Sequence, residues 1–456
     1  MNPNTLGIVV GLGSLVFLFS GMPIAFALGV PSVLVILLFM DSTQFDLIAH
    51  TMFDGLNDFG LLAIPLFILM GSIIASTKTG SDLYEGMHRW LHRLPGGLAV
   101  SNIVSCAIFS ALCGSSPATA AAIGTMGIPE MRKRGYPDSL ATGCIVAGGT
   151  LGILIPPSVT MIIYGIATQT SIGKLFLAGV VPGIVITIMM CIWVVLYSQW
   201  ARRKRTREGG NPSTSVGIGS VSIGNEFFEN VTFSWKEKMS AISRVAPFIF
   251  LIVIIMGSLY GGWATPSEAA GVGSVAALFL VMAIYKLRLK DYKKIMHMTV
   301  KESTMILLII AASFLFGAVM TKLYITQSII DAIVGAGFSK WSLMIMINIF
   351  MLVLGCFMPP VAIILILAPI LYPVLVKYGF DPIWFGVIMT INMEVGLITP
   401  PVGLNLYVIQ GIAPDVPLSR VLVGSAPFVL ILLLGIVICS IWPELTLWLP
   451  NKMITR

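Results

Sequence analysis

The chain has 456 residues, 57% of them hydrophobic and only 10% charged, and its mean hydropathy is +0.96. That composition excludes a soluble domain and reads as an integral membrane protein. The net charge of +7 does not point to nucleic acid, because the basic residues gather in short loops between apolar spans, as the positive-inside rule expects.

In chain order, Met1 to Thr5 lack a basic n-region, so no cleavable signal peptide is expected, and the first Lys or Arg is Lys78. The segment 41–58 carries Asp41, Asp46, Asp54 and Asp58 with no Lys or Arg, which reads as an outside loop. His88 and His92 stand i,i+4 beside Arg89 and Arg93, a basic interfacial helix rather than a metal site. The apolar stretch 97–130 has basic flanks on both sides, Arg89 and Arg93 before it and 132–134 after it. It is therefore expected to be a re-entrant hairpin turning at 114–117, with arms of about 14–16 residues, short of the roughly 20 that cross a bilayer.

The next span, 138–168, carries Pro156 and Pro157 in its middle, and prolines there must interrupt a helix. A basic run at 202–207 marks the cytoplasm, as does the cluster Lys286, Arg288, Lys290, Lys293 and Lys294. Between them 208–237 is polar and Gly/Ser/Asn-rich, a surface linker. The second half brings an apolar hairpin at 340–377, entering from the outside, and a second broken span at 382–411 with Pro400 and Pro401. The six cysteines lie in apolar stretches without paired spacing and read as packing residues.

The two halves repeat. Pro23 and Pro266, Gly114 and Gly355, Pro129 and Pro369, Pro137 and Pro382, Pro156 and Pro400, and Pro182 and Pro427 pair at offsets of 240–245 residues. Six matches in one order mean an internal repeat. Residues 1–207 and 238–456 then each contain three spans, a hairpin, a broken span and a closing span. Five crossings per half invert the second half, the inverted-repeat plan of secondary transporters, with both termini outside. The fold class is thus an all-α integral membrane protein with two re-entrant hairpins and two broken transmembrane helices.

No catalytic constellation or P-loop is present in the sequence, so neither an enzyme nor direct ATP coupling is expected. Unwound backbone at membrane depth is tolerated where it lines a site. Its oxygens suit Na+, and the candidate cation ligands are Ser115, Gly152, Ile155 and Pro157 in the first half and Gly355, Gly396, Thr399 and Pro401 in the second. Helix starts at the hairpin tips suit a carboxylate. Ser116, Thr119, Asn392 and Asn405 are the substrate candidates. Glu268 fits a capping box with Thr265, with Pro266 at the first helical position. Glu394 lies in the second broken span, where it serves either function or support of the unwound backbone.

Four motifs carry a family resemblance: 114–124, 148–158, 263–270 and 392–405. They resemble the large membrane subunit of tripartite ATP-independent periplasmic (TRAP) transporters over nearly the whole chain. The resemblance implies an elevator-type, sodium-driven importer of a small organic acid in the bacterial inner membrane. It also implies a periplasmic substrate-binding protein and a small membrane subunit of about four helices, here a separate polypeptide. Its cation sites would use the hairpin serine and broken-helix carbonyls, matching Ser115, Gly152, Ile155 and Pro157; Thr119 stands where the family often carries an acid. The alternatives are a standalone ion-coupled anion symporter of related fold, a channel, which paired occluding hairpins disfavour, and a membrane enzyme.

Overall fold

The structure is a computed structural model and describes residues 3–40, 44–207, 233–285 and 287–452. Asp41, Lys286 and linker residues 208–232 lie outside the described residues. The described residues form twenty α-helices and no strand.

The first half comprises α1 (Pro3–Phe19), α2 (Ile24–Phe39), α3 (Asp46–Leu56), α4 (Ala63–Ala75), α5 (Thr79–Leu91), α6 (Gly97–Cys113), α7 (Ser116–Lys133), α8 (Asp138–Thr150), α9 (Val159–Thr168) and α10 (Ile172–Arg207). The second comprises α11 (Trp235–Tyr260), α12 (Pro266–Tyr285), α13 (Leu289–Lys322), α14 (Ile325–Gly335), α15 (Lys340–Gly355), α16 (Pro360–Lys377), α17 (Pro382–Leu397), α18 (Leu404–Ile412), α19 (Leu418–Ile441) and α20 (Glu444–Lys452). Element order corresponds between the halves, with α3 and α4 together standing where the second half has the single α13.

The halves interlock. α4 packs on α12 and α13 on α2, while α7 packs on α18 and α16 on α9. One continuous apolar core runs through both sets. A second apolar population, including Leu38, Phe250, Val272, Phe279 and Leu430, faces outward, as a bilayer-facing surface requires.

Local chemistry sets the helix boundaries. Pro117 in the first turn starts α7, and Asp381 caps α17 by accepting from the Ile383 and Trp384 amides at 2.7 and 3.1 Å. The Thr265 amide donates to the Glu268 carboxylate at 2.7 Å and the Glu268 amide to Thr265 Oγ1 at 3.3 Å, the capping box read from the sequence.

Several expectations change. The segment read as an outside loop is largely the helix α3, because Leu47, Ile48 and Met52 pack against the core despite its acidic residues. α3 and α4 are bent by 59° about a break at Asn57–Asp58, so this span is not one rod. Hairpin arms are 16–18 residues long, longer than read from the sequence. Residues 235–237 belong to α11 rather than the linker, since Ser234 and Glu237 form a capping box. Within the helix read as interfacial, His88 and His92 are buried, packed edge-on against Phe233 at 5.7 and 5.0 Å. By length and composition, six described helices, or seven counting the bent pair, are long and apolar enough to cross a membrane. Ten crossings were expected; the six include α16, a hairpin arm, and the expected crossings that fall short are α1 and α2, with 17 and 16 residues, and the two broken spans, each split into pieces of 9–16.

Candidate functional site

The two paired-proline breaks sit against the two hairpin turns. α8 ends at Thr150, a tight turn covers Leu151–Ile153, and the chain passes through a cis Pro156–Pro157 bond to Ser158, which caps α9. α17 ends at Leu397 and α18 restarts at Leu404 after a cis Pro400–Pro401 bond.

In both halves backbone touches backbone there. A Cβ on Gly152 would stand 2.7–2.8 Å from backbone atoms of Ser115 and Ser116, and one on Gly114 would stand 2.6 Å from the Pro157 carbonyl oxygen. A Cβ on Gly396 would lie 2.5–2.7 Å from the backbone of Gly355. No side chain fits at those separations, so glycine is what lets the peptide groups meet. Ser115, Gly152 and Pro157 are thus brought together, and so are Gly355 and Gly396. Thr399 sits in the second break and donates its hydroxyl to the Val395 carbonyl at 2.6 Å, and the Pro401 carbonyl accepts from Tyr407 at 3.4 Å. Ile155 is half-buried, with its amide on the Leu151 carbonyl at 2.9 Å and its side chain against Gly183.

Between the hairpin turns lies a cavity of ≈ 260 Å³. The first hairpin contributes Gly114 to Ala118, the second Pro359 to Val361, and the breaks contribute Ile153, Thr160, Leu397 and Leu404. α4 and α13 close it with Ser72, Ala75, Met298 and Glu302.

Of the four substrate candidates, Ser116 lines this cavity and the other three do not. All four are buried. Ser116 donates to the Gly149 carbonyl at 2.9 Å and accepts from Asn405 Nδ2 at 2.9 Å. Asn405 also reaches the Val146 carbonyl at 3.2 Å. Thr119 folds back onto the Ser115 carbonyl at 2.9 Å, closing the first turn of α7. Asn392 donates to Asn348 at 3.0–3.1 Å, tying the second broken helix to its hairpin. Glu394 is fully buried, and neither carboxylate oxygen has a hydrogen-bond partner among the described residues. Glu302 and Asn348 were missed from the sequence. An acid at the start of the long apolar run of α13, 302–320, was the available signal for Glu302.

The basic ends of the fold are cross-linked by charge. Arg132 contacts Asp138 at 3.0 Å and Asp415 at 2.5 Å, and Arg420 contacts Asp138 at 3.1 Å. Arg132 holds the exposed Asp415 carboxyl below its usual range, chiefly by hydrogen bonding.

The whole architecture has relatives. A family model described as "Tripartite ATP-independent periplasmic transporter, DctM component" matches residues 12–445. The C4-dicarboxylate TRAP transporter large permease protein DctM of Pseudomonas aeruginosa is 38% identical over 93% of this chain and 94% of its own. The sialic acid TRAP transporter large permease protein SiaM of Vibrio cholerae is 31% identical over 96% of this chain and 97% of its own. The isethionate TRAP transporter permease protein DctMQ of Oleidesulfovibrio alaskensis is 33% identical over 87% of this chain, which spans 59% of that protein. Among solved structures, the YdaH transporter of Alcanivorax borkumensis is similar in fold alone, with 15% identity, a TM-score of 0.58 and coverage of 95% of this chain and 98% of that one. The chain is a multi-pass membrane protein belonging to the TRAP transporter family, as its large permease or DctM component.

Proposed function

We propose that this permease imports a small organic acid, a C4-dicarboxylate first among candidates, coupled to Na+ and moving by an elevator motion. A periplasmic binding protein would deliver the substrate, and a small membrane subunit of about four helices would complete the complex in the bacterial inner membrane. The names of relatives support the substrate class and the partners: a C4-dicarboxylate permease at 38% identity, and a DctMQ protein of which this chain spans 59%.

The observation that carries the reading is the doubled contact of helix break and hairpin turn, Gly152 on Ser115 and Gly396 on Gly355, with one cavity between the two tips. Carbonyl and hydroxyl oxygens gathered at each contact suit a hard monovalent cation, which prefers oxygen donors. Ser115, Gly152, Ile155 and Pro157 would hold one Na+, and Gly355, Gly396, Thr399 and Pro401 another. Each ion would fix the adjoining hairpin tip and so prepare the cavity for an anion. Ser116 is the substrate contact; Thr119, Asn392 and Asn405 act from behind the wall by holding the tips in register.

The domain plan follows. Residues 1–207 and 238–456 are inverted repeats joined by a linker at 208–237. The hairpins (97–130 and 340–377) and broken helices (138–168 and 382–411) form the moving domain, and the remaining helices form the scaffold. The cavity wall includes Ala75, three residues before Lys78, and Met298, just after the basic start of α13. Basic flanks lie on the cytoplasmic side, so the arrangement supports an inward-facing reading.

The test is thermal stability of the purified permease in Na+ against K+ or choline at equal ionic strength. Binding to the folded state raises its stability by mass action. A Na+-specific rise that weakens in Ser115→Ala and Thr399→Ala is expected, and no cation preference would sink the sodium assignment. Uptake in proteoliposomes without a binding protein would favour a standalone symporter instead.

A further inference from the structure

Glu302 is an outlier in its surroundings. It lines the cavity between the hairpin tips, yet the other described lining residues are apolar or neutral polar, with no Lys, Arg or His among them. Lys301, next in the chain, is exposed and does not line the cavity. A carboxylate here is an awkward neighbour for an anionic substrate. Its place in the fold gives that repulsion a use.

Glu302 sits on α13, which packs mainly on α2, α3 and α4 and also touches the second hairpin at α16, whereas the tips that face it belong to α6, α7 and α16. If hairpins and broken helices move against α4 and α13, the substrate travels with the tips while Glu302 stays behind. The two then meet at one end of the stroke. Basic flanks assign that end to the cytoplasm. The residue is exposed and lines the cavity. Across a small cavity with low-dielectric walls, such a charge is felt far more strongly than in bulk water.

We infer that Glu302 is a scaffold-borne repulsive charge that weakens binding of the anionic substrate in the inward arrangement only, and so drives its release. The inference rests on the transport reading given above. It assigns Glu302 a positioning role for direction, since the residue need not touch the substrate during capture. It also separates capture from release in space: the tips bind, and the scaffold expels.

The test uses the complete three-part transporter in proteoliposomes, with succinate as the probe on both faces. Counterflow is measured against internal succinate. In Glu302→Gln the internal half-saturation concentration is expected to fall roughly tenfold, about 1.4 kcal/mol, with the external half-saturation unchanged. Glu302→Asp keeps the charge and should behave like the wild type. An internal half-saturation that is unchanged or raised in Glu302→Gln overturns the inference; a rise would mean that Glu302 attracts a cationic group instead. A wild type unable to move succinate or any other small carboxylate would overturn the transport reading, and this inference with it.

Discussion

Asn405 Nδ2 donates to Ser116 Oγ at 2.9 Å, joining residues 289 apart in sequence and tying the second broken helix to the first hairpin tip. Ser116 in turn donates to the Gly149 carbonyl at 2.9 Å, so one chain of bonds links α18, α7 and α8. All members are buried, and leaving one unpartnered costs about 1–3 kcal/mol. Asn405→Ala and Ser116→Ala should each lower the thermal unfolding midpoint in detergent. Their double variant should lose less than the sum, because the two share one bond. Simple additivity would mean that the bond contributes nothing.

Contact between Gly396 and Gly355 leaves no room for a methyl group. Gly396→Ala should cost about 1–3 kcal/mol by overpacking and should abolish uptake by displacing the second hairpin turn from the break. Gly257 in α11 has open space where a Cβ would stand, with nothing within 4 Å, so Gly257→Ala is the control and should be neutral or slightly stabilising. Equal effects of the two substitutions on melting and uptake would contradict the close-approach reading.

Pro369 has no N–H, so the Leu365 carbonyl four residues earlier loses its ordinary helical partner. Ser313 on α13 supplies one, donating to that carbonyl at 2.5 Å. The bond joins α13 to the second hairpin and must break if the hairpin slides. Ser313→Ala should destabilise the observed arrangement by about 1–3 kcal/mol and shift the population away from it. Double electron–electron resonance between labels on α13 and α16 would read the shift, and an unchanged distance distribution would argue against a latch.

Arg132 lowers the pKa of Asp415 below the ordinary carboxylate range. A depressed folded-state pKa gives stability that is present above the unfolded value, about 3.9 for Asp, and lost as pH falls through the folded value. Asp415→Asn should therefore lower the melting midpoint by a constant amount from pH 8 to about 5. The difference should narrow only below about pH 4, and it should shrink in high salt because Asp415 is exposed. A difference that varies between pH 8 and 5 would assign the effect to another group.

Much of this molecule was legible from one sequence. Composition alone required a membrane protein, because so few charged residues cannot cover a soluble surface. Paired prolines at 156–157 and 400–401 located both helix breaks, since a missing N–H and a ring clash act locally whatever the surroundings. Capping at Thr265 and Glu268 was readable for the same reason: the partners are three residues apart. The approach of Gly152 to Ser115, the Asn405–Ser116 bond, the Ser313–Leu365 bond and the meeting of Glu302 with the hairpin tips were not readable. Each joins residues distant in sequence, and only the packing of the first break on the first hairpin, of α7 on α18 and of α13 against α16 brings them within reach. Asn392 marks the same boundary, because polarity at a helix break says that a hydrogen bond will form there, while tertiary structure decided that the partner is the protein's own Asn348; the Thr119 bond to Ser115 closes within a single turn and belongs to the local side.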